Sequence, residues 1–327
     1  MNYCLVCLDF HGHGYSEGTR AYVDDQTHLL DDATCLIREI YHAEMDLHEC
    51  HFNEHHSGHH KHRSNSKAVA TEQAKDTKGP VFNLRRNQVP FYIMGQSMGG
   101  AVSVRLGLYY QSLCASKGDY QSVDSDATCT SGMSWFGGVA TDIHKNTSDA
   151  NFATCFAGAI LLAPAISGNL PPPLVRMVFE NVLVPFFPAV SIPKALSGGV
   201  DDNTTIWNSE KFVEYSCVKD KHHPDTNPNG LSFGESIRFK TAYTLVQMMQ
   251  TISSELSSIA FPFIIFHDPN DAVTQYNGSL RLVNESSTSV DKKHLYSLPN
   301  AKHDLFTNRL SVIVKKTIEW IHSEQGF

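Results

Sequence analysis

The sequence predicts an α/β fold: a mostly parallel sheet covered by helices, with a helical cap inserted before a late strand. Short apolar runs without alternation recur along the chain and are typical of strands buried on both faces. Segments with apolar residues at helical spacing separate these runs, as the crossovers of a parallel sheet require. A proline-dense apolar stretch between residues 165 and 260 breaks this order and indicates the cap.

Apolar runs bounded by turn residues mark most of the predicted strands, and residues 293–298 are interpreted as one more. These strands span residues 3–9, 90–95, 158–163, 261–266 and 293–298. The chain of 327 residues is long enough for one such domain with an inserted cap. We therefore assign residues 1–164 and 261–327 to the α/β core and residues 165–260 to the cap, or lid.

Three helices of the core follow from apolar spacing. They are predicted around residues 31–43, directly after residue 97, and over residues 307–324. The first is expected to turn Leu36, Ile37 and Ile40 toward the sheet. The last is expected to bury five apolar side chains: Leu310, Ile313, Ile318, Trp320 and Ile321.

Two polar stretches, residues 45–88 and 112–156, interrupt the core. Each connects a helix to the next strand, so it should lie at the amino-terminal edge of the sheet, opposite the catalytic edge. The first stretch holds seven histidines between His48 and His62, which could bind zinc, nickel or copper weakly. Because these histidines follow no fixed ligand pattern, low-complexity disorder is the favoured interpretation.

The cap is predicted from prolines and from a capping signal. Six prolines within residues 170–193 prevent one long helix and predict short helical pieces. The S-x-x-E box at Ser232–Glu235 predicts the start of a longer helix. Its apolar face is expected to hold Phe239, Ala242, Tyr243, Val246 and Met249.

The strongest functional signal is Gly95-Gln96-Ser97-Met98-Gly99-Gly100, directly after the apolar run of residues 91–94. A strand that enters a helix through G-x-S-x-G is typical of the nucleophile elbow of α/β-hydrolases. The tight turn exposes the serine hydroxyl, so Ser97 is the predicted nucleophile. The backbone N–H of Met98 is the predicted oxyanion donor.

A base and an acid follow late in the chain. Strand 293–298 runs into a loop with His303, and strand 261–266 runs into a loop with Asp268 and Asp271. The order serine, aspartate, histidine is that of α/β-hydrolases, so His303 is the predicted base. The competing interpretation of His303 is an ordinary surface loop histidine. Residue chemistry alone leaves Asp268 and Asp271 as alternative acids.

Three motifs resemble monoacylglycerol lipases and related lysophospholipases. Residues 8–18 resemble their D-x-x-GHG-x-S-E-G signature, and the elbow resembles GHSMGG with Gln96 in place of histidine. Residues 267–273 resemble HG-x-x-D-x-V, with Asp268 in place of glycine, which assigns the acid to Asp271. The resemblance implies a serine hydrolase that cleaves a monoacylglycerol or lysophospholipid through an acyl-enzyme on Ser97, with no cofactor and no metal.

The resemblance also implies segments upstream of residue 1. Members of this family carry strands and an HG-x-x oxyanion loop well before GHG-x-S-E-G. The run His11-Gly12-His13-Gly14 superficially matches such a loop, but its place in the signature favours a structural loop. We therefore expect a chain truncated at its N-terminus, without its first strands and second oxyanion donor.

Other functions remain as alternatives. A carboxylesterase or thioesterase would use the same triad, and a missing oxyanion loop would suit a non-catalytic hydrolase-fold binding protein. A net charge of −8 argues against nucleic acid as a partner. In the resembled family the cap contacts lipid, so we expect an acyl-chain tunnel and peripheral contact with a membrane or lipid droplet, rather than simple packing. We expect a cytoplasmic location because neither a leader peptide nor a long apolar window is visible.

Overall fold

The centre of the fold is a parallel sheet. This computed structural model describes residues 3–53, 89–119, 153–167, 173–193, 203–206, 208 and 236–324. Within them the strands are β1 (Phe91–Gln96), β2 (Phe156–Leu162), β3 (Phe263–His267) and β4 (Lys293–Ser297). They lie side by side in the order β1-β2-β3-β4, all parallel. All four agree with predicted strands, and the first three of them are apolar runs.

Helices cover both faces of this sheet. The long ones are α1 (Gln26–Asn53), α2 (Met98–Asp119), α6 (Phe239–Glu255), α7 (Tyr276–Glu285) and α8 (Leu305–Glu324). The cap contributes short pieces: α3 (Pro173–Val178), a π-helical turn (Phe179–Leu183), α4 (Val184–Phe186) and α5 (Asn203–Ile206). The predicted breakup of the cap by proline is therefore confirmed for residues 173–193.

Successive residues of the inner strands belong to two different cores. Leu161 and Ile265 pack in the larger cluster, which includes side chains of α1, α2 and α6. Ile160 and Ile264 pack in the other cluster, beside Trp320 of α8. All four strand residues are at most 4% exposed. Because both faces are buried, these strands read as unbroken apolar runs.

The predicted strand 3–9 is wrong. Residues 3–9 pair with no described strand, and Tyr3, Leu5 and Val6 are 46–74% exposed. The hydroxyl of Tyr3 lies 2.8 Å from Nε2 of His322 in α8. A β-strand needs a neighbour that accepts its ladder hydrogen bonds, and these residues have none among the described strands. Apolar content alone therefore misled the prediction.

Both core helices extend into the predicted insertions. Helix α1 continues to Asn53 and α2 to Asp119. Residues 54–88 and 120–152 lie outside the described residues. The side chains of the histidine cluster also lie outside the described residues, so weak metal binding by these histidines stays a prediction from the sequence.

Helix α6 does not begin at the predicted capping box. Its N-cap is Arg238, whose backbone is extended (φ −77°, ψ 152°), and the box at residues 232–235 lies outside the described residues. The guanidinium of Arg238 donates to the carbonyl of Arg20 at 2.7 Å and also to that of Ala189. These bonds connect the residue before α6 to residues 20 and 189.

The buried face of α6 is partly polar. Besides Phe239, Met248 and Ile252, it carries Thr241 and Thr244. The Thr241 hydroxyl donates to the carbonyl of Ala21 at 2.9 Å and accepts from the N–H of Val23 at 2.9 Å. The apolar spacing had placed Ala242, Tyr243, Val246 and Met249 on this face, and they are only half-buried.

Helix α8 packs against the cluster that contains Ile160 and Ile264. Ile313, Trp320 and Ile321 are buried as predicted, and Ile318 is half-buried. Leu310 is 44% exposed, contrary to the prediction. It follows a kink at Arg309 (φ −139°, ψ 25°), which changes the helical phase after the first turn.

Candidate active site

Ser97 occupies the turn between β1 and α2 in a left-handed conformation, with φ of +56°. Its N–H donates to the carbonyl of Leu162 at 2.9 Å. Its carbonyl accepts from the N–H groups of Ala101 at 3.2 Å and Ala165 at 3.0 Å. A non-glycine residue in this conformation is strained, and such strain persists only where neighbours hold it. Three backbone hydrogen bonds do so here.

Two glycines of the elbow, Gly95 and Gly100, are required by close approach. A Cβ atom at Gly95 would lie 2.1 Å from the carbonyl oxygen of Gly99. At Gly100 it would lie 2.8 Å from Cβ of Pro164, beside the end of β2. Neither obstacle is the end of a flexible side chain, so only glycine, which has no Cβ, fits at these two positions.

Met98 is the first residue of α2, so its N–H has no acceptor inside the helix. No described residue accepts a hydrogen bond from it either. The positive end of the helix dipole lies at the same place. This N–H is therefore available for an anionic oxygen.

Asp271 and His303 are paired. Nδ1 of His303 lies 2.8 Å from Oδ2 of Asp271. The Asp271 side chain is fully buried and that of His303 is 8% exposed. A charge-assisted hydrogen bond in a buried site fixes both the orientation and the tautomer of an imidazole. His303 is therefore not the surface loop histidine of the competing interpretation.

The Asp271 carboxylate is saturated with donors. Oδ1 accepts from the N–H groups of Val273 at 2.7 Å and Thr274 at 3.1 Å. Oδ2 lies 3.4 Å from Nε2 of His267. Burial by itself would raise the pKa of Asp271, but hydrogen bonds from His267 and His303 outweigh it and hold the pKa far below its usual range. The Asp271 carboxylate is therefore ionised at neutral pH.

His267 is a site residue that the sequence analysis used only as part of a motif. It ends β3, is 0% exposed, and its Nδ1 lies 2.8 Å from the hydroxyl of Ser279. Its Nε2 faces Asp271 at 3.4 Å. The sequence signal for this contact was that His267 and Asp271 lie four residues apart. In a loop, however, spacing alone does not show in which direction two side chains point.

Asp268 is the alternative acid, and it faces elsewhere. Its Oδ1 accepts from the N–H of Asn270 at 3.0 Å, and its Oδ2 accepts from the N–H of Lys302 at 2.7 Å. It makes no hydrogen bond with the His303 ring among the described residues. Its carboxylate thus supports the backbone beside the base.

Ser97 and His303 stand at the same edge of the sheet, after the carboxyl ends of β1 and β4. In the described residues no hydrogen bond joins the Ser97 hydroxyl to the His303 ring. Catalytic hydrogen bonds of this kind are often long before substrate binds. The segment predicted to be the cap also contacts this edge: the backbone N–H of His303 donates to the carbonyl of Thr205 at 3.3 Å, and that of Asp304 donates to the carbonyl of Ile206 at 3.1 Å.

The loop at residues 9–18 uses its donors internally. The N–H of Gly12 donates to the carbonyl of Glu17 at 2.7 Å, and that of His13 donates to the carbonyl of Phe10 at 2.8 Å. The Asp9 carboxylate accepts from the N–H of Tyr15 at 3.0 Å. The N–H groups of residues 12 and 13 are thus engaged and not free for an oxyanion, as the structural-loop interpretation expects.

Among the described residues there is neither a cluster of metal-binding side chains nor a helix suited to cross a membrane. No group of three or more histidine, cysteine, aspartate or glutamate side chains in them could hold a metal ion. None of their helices combines the length and the apolar character that a membrane span needs.

Residues 122–309 match the sequence profile of the family described as serine aminopeptidase, S33. The chain belongs to this family. The matched residues include Asp271 and His303, while Ser97 precedes them. As a member of the serine aminopeptidase S33 family, the chain is an α/β-hydrolase, and its parallel sheet flanked by helices has that architecture. No curated protein matched the chain.

A solved structure supports the same fold. A monoacylglycerol lipase of Paleococcus ferrophilus is similar to the chain, with a TM-score of 0.52 and 15% identity over 97% of this chain and 82% of the other. A soluble variant of monoglyceride lipase from Saccharomyces cerevisiae has a TM-score of 0.47 and 17% identity over 97% of this chain and 76% of the other. At 15% identity, the similarity to the Paleococcus ferrophilus structure is evidence for a shared fold and not for a shared substrate.

Proposed function

We propose that the protein is a serine hydrolase that cleaves lipid esters, either monoacylglycerols or lysophospholipids, through an acyl-enzyme on Ser97. One observation carries the proposal. The His303–Asp271 pair, joined at 2.8 Å and buried, lies at the same sheet edge as a serine held in the strained elbow conformation. Family membership supports hydrolysis in general, and the motifs of the sequence support the lipid ester.

Acylation would begin with attack of Ser97 Oγ on the ester carbonyl carbon. With the Nδ1 proton held by Asp271, Nε2 of His303 is free to accept the serine proton. Asp271 stabilises the imidazolium that results. His303 then returns the proton to the departing glycerol oxygen, the C–O bond breaks, and the acyl group remains on Ser97.

Deacylation would repeat these steps with water. His303 accepts a proton from the water as it attacks the acyl carbon, and then returns this proton to Ser97 Oγ as the acyl bond breaks. A free fatty acid leaves. In both tetrahedral intermediates the negative oxygen would be held by the N–H of Met98 at the amino terminus of α2.

The cap supports a lipid as substrate. Apolar side chains between residues 173 and 190 are unusually exposed: Leu174, Val175, Met177, Val178, Val182, Phe186, Phe187 and Val190 are 43–73% exposed. An exposed apolar surface of this kind is typical of lipid or protein contact. The exposed ion pair between Arg176 and Glu180, at 3.3 Å, suits contact with a surface better than deep insertion. We include peripheral contact with a membrane or lipid droplet in the proposal.

A fluorophosphonate probe tests the mechanism. It should label the protein, and labelling should disappear in Ser97→Ala but persist in Ser103→Ala, a buried helix serine that donates to the carbonyl of Gly99. Undiminished labelling of Ser97→Ala would refute the nucleophile. A monoacylglycerol and a lysophospholipid should be turned over faster than a short acetate ester or an acyl thioester. The reverse preference would replace the lipid ester by a carboxylesterase or thioesterase activity, and absence of any turnover would favour a binding protein.

A further inference from the structure

The side chain directly before the nucleophile reaches the residues directly after the base. Nε2 of Gln96 donates to Oδ1 of Asp304 at 3.2 Å, and Oε1 of Gln96 accepts from the N–H of Phe306 at 3.0 Å. A backbone N–H can only donate and a carboxylate can only accept, so the two partners determine which way the amide points. Gln96 thus connects the elbow to the segment that follows His303.

This contact completes the amino terminus of α8. Asp304 precedes the first residue of α8, and its Oδ1 accepts from the N–H of Thr307 at 3.1 Å, as an N-cap residue does. The N–H of Phe306 belongs to the first turn and has no acceptor inside the helix. Gln96 supplies that acceptor from another part of the chain. The start of α8, and with it the position of His303, is therefore attached to the elbow.

The loop that carries His303 needs such support. Asn300 and Lys302 both have left-handed backbones, with φ of +58° and +60°. Non-glycine residues in this conformation are strained and persist only where the surroundings hold them. Asp268 holds the loop before His303 through the N–H of Lys302, at 2.7 Å. Gln96 holds the chain after His303.

We propose that Gln96 is a positioning residue, which sets the separation and orientation of Ser97 Oγ and His303 Nε2 without touching the substrate. The proposal rests on the function proposed above. A small displacement between a nucleophile and its base costs up to about 100-fold in rate. Because Gln96 acts only through this geometry, its loss should lower kcat and leave KM nearly unchanged.

Gln111 offers a matched control. Its Nε2 donates to the carbonyl of Ser258 at 2.8 Å, and its Oε1 accepts from the N–H of Ala260 at 2.8 Å. This is the same bridging arrangement as at Gln96, but it joins α2 to the segment before β3, away from the catalytic edge. Gln96→Leu and Gln111→Leu therefore remove equivalent hydrogen bonds, and only the first should affect turnover.

Exchanging the carboxylate and the amide tests the contact itself. Gln96→Glu places a second carboxylate against Asp304, and the two like charges should separate the elbow from α8. The double variant Gln96→Glu/Asp304→Asn restores one donor and one acceptor. Its asparagine at position 304 can still accept from Thr307 through Oδ1, and its glutamate at position 96 can still accept from Phe306. It should recover most of the turnover that Gln96→Glu loses.

Hydrolysis of a monoacylglycerol by the full chain, with active sites counted by fluorophosphonate, measures these effects alongside melting temperature. We expect kcat to fall about 10- to 100-fold in Gln96→Leu and to stay within about twofold of wild type in Gln111→Leu. Equal kcat in these two variants would overturn the proposal, and so would a double variant no better than Gln96→Glu.

Hydrogen exchange separates this proposal from the proposed function. Exchange at the amide of Phe306 should accelerate in Gln96→Leu and not in Gln111→Leu, whether or not the protein hydrolyses esters. Unchanged exchange at Phe306 would overturn the positioning role. A wild-type protein without Ser97-dependent turnover would instead refute the proposed function.

Discussion

Asp271→Asn should abolish most of the activity through the tautomer of His303. Two backbone donors, Val273 at 2.7 Å and Thr274 at 3.1 Å, hold Oδ1 and would keep the carbonyl oxygen of an asparagine in that position. The amide nitrogen would then stand where Oδ2 now accepts from His303 Nδ1 at 2.8 Å. Two donors would face each other, so the imidazole would move its proton to Nε2 and could no longer accept one from Ser97.

The expected loss is large. The same substitution at the acid of a Ser-His-Asp triad lowers kcat by about 10,000-fold, which corresponds to about 5.4 kcal/mol of transition-state stabilisation. Asp268→Asn is the matched control, because Asp268 is also buried and also accepts two backbone N–H groups. Its amide oxygen can still accept one of these, so kcat should fall less than about tenfold, the value of roughly one hydrogen bond.

The assay is steady-state hydrolysis of a monoacylglycerol at neutral pH, with active sites counted by fluorophosphonate in each variant. Circular dichroism confirms that both variants are folded. A large loss in Asp268→Asn together with a small loss in Asp271→Asn would refute the reasoning, because the acid would then be Asp268. Equal small losses in both variants would show that His303 does not depend on a carboxylate.

Three further predictions concern stability. The pKa of Asp271 is lowered in the folded protein, so below about pH 4 the unfolded chain binds a proton that the folded chain does not. The stability advantage of wild type over Asp271→Asn in urea unfolding should therefore be complete above about pH 5 and shrink on acidification; a constant difference would contradict this. Gly95→Ala should destabilise by about 1–3 kcal/mol, because its Cβ would lie 2.1 Å from the Gly99 carbonyl. Gly99→Ala is the control: apart from its chain neighbours and the backbone of its own helix, no described atom would lie within 4 Å of its Cβ, so its thermal unfolding should be unchanged or improved. Glu255→Ala should cost about 3–5 kcal/mol in urea unfolding, since it leaves the buried Arg105, now paired at 2.5 Å, without this partner. A loss below about 1 kcal/mol would mean that the pair is solvated.

The sheet was predictable because its chemistry is local. β1, β2 and β3 each coincide with an apolar run, whereas β4 includes Lys293, His294 and Ser297. The strands β2 and β3 are apolar on both faces because each face packs against a hydrophobic cluster. Residues 3–9 have the same composition and form no strand. Residues 3–9 have no pairing partner among the described strands. Whether a strand finds a partner depends on the whole fold, so a short stretch of sequence cannot reveal it.

Polar burial was not predictable for the same reason. Thr241 and Thr244 occupy the buried face of α6 because the backbone at residues 21–24 offers them partners. His267 is buried because Ser279 and Asp271 both face it. The partner of Thr241 is about 220 residues away in the sequence, so no periodicity within α6 could reveal it.

The acid and the base of the candidate site differ in how much of their environment lies nearby in the sequence. Oδ1 of Asp271 accepts hydrogen bonds from the N–H groups of the residues two and three positions later. Because these partners lie within the same short loop, the environment of Asp271 can be recognised as a sequence motif. The loop of His303 is held by Asp268 and by contacts of Gln96 with the residues that follow it. These two side chains are also the ones at which the chain departs from the signatures that it resembles. A comparison of motifs shows Gln96 and Asp268 only as departures from the signatures. In the structure, both side chains form hydrogen bonds that position the segment carrying His303.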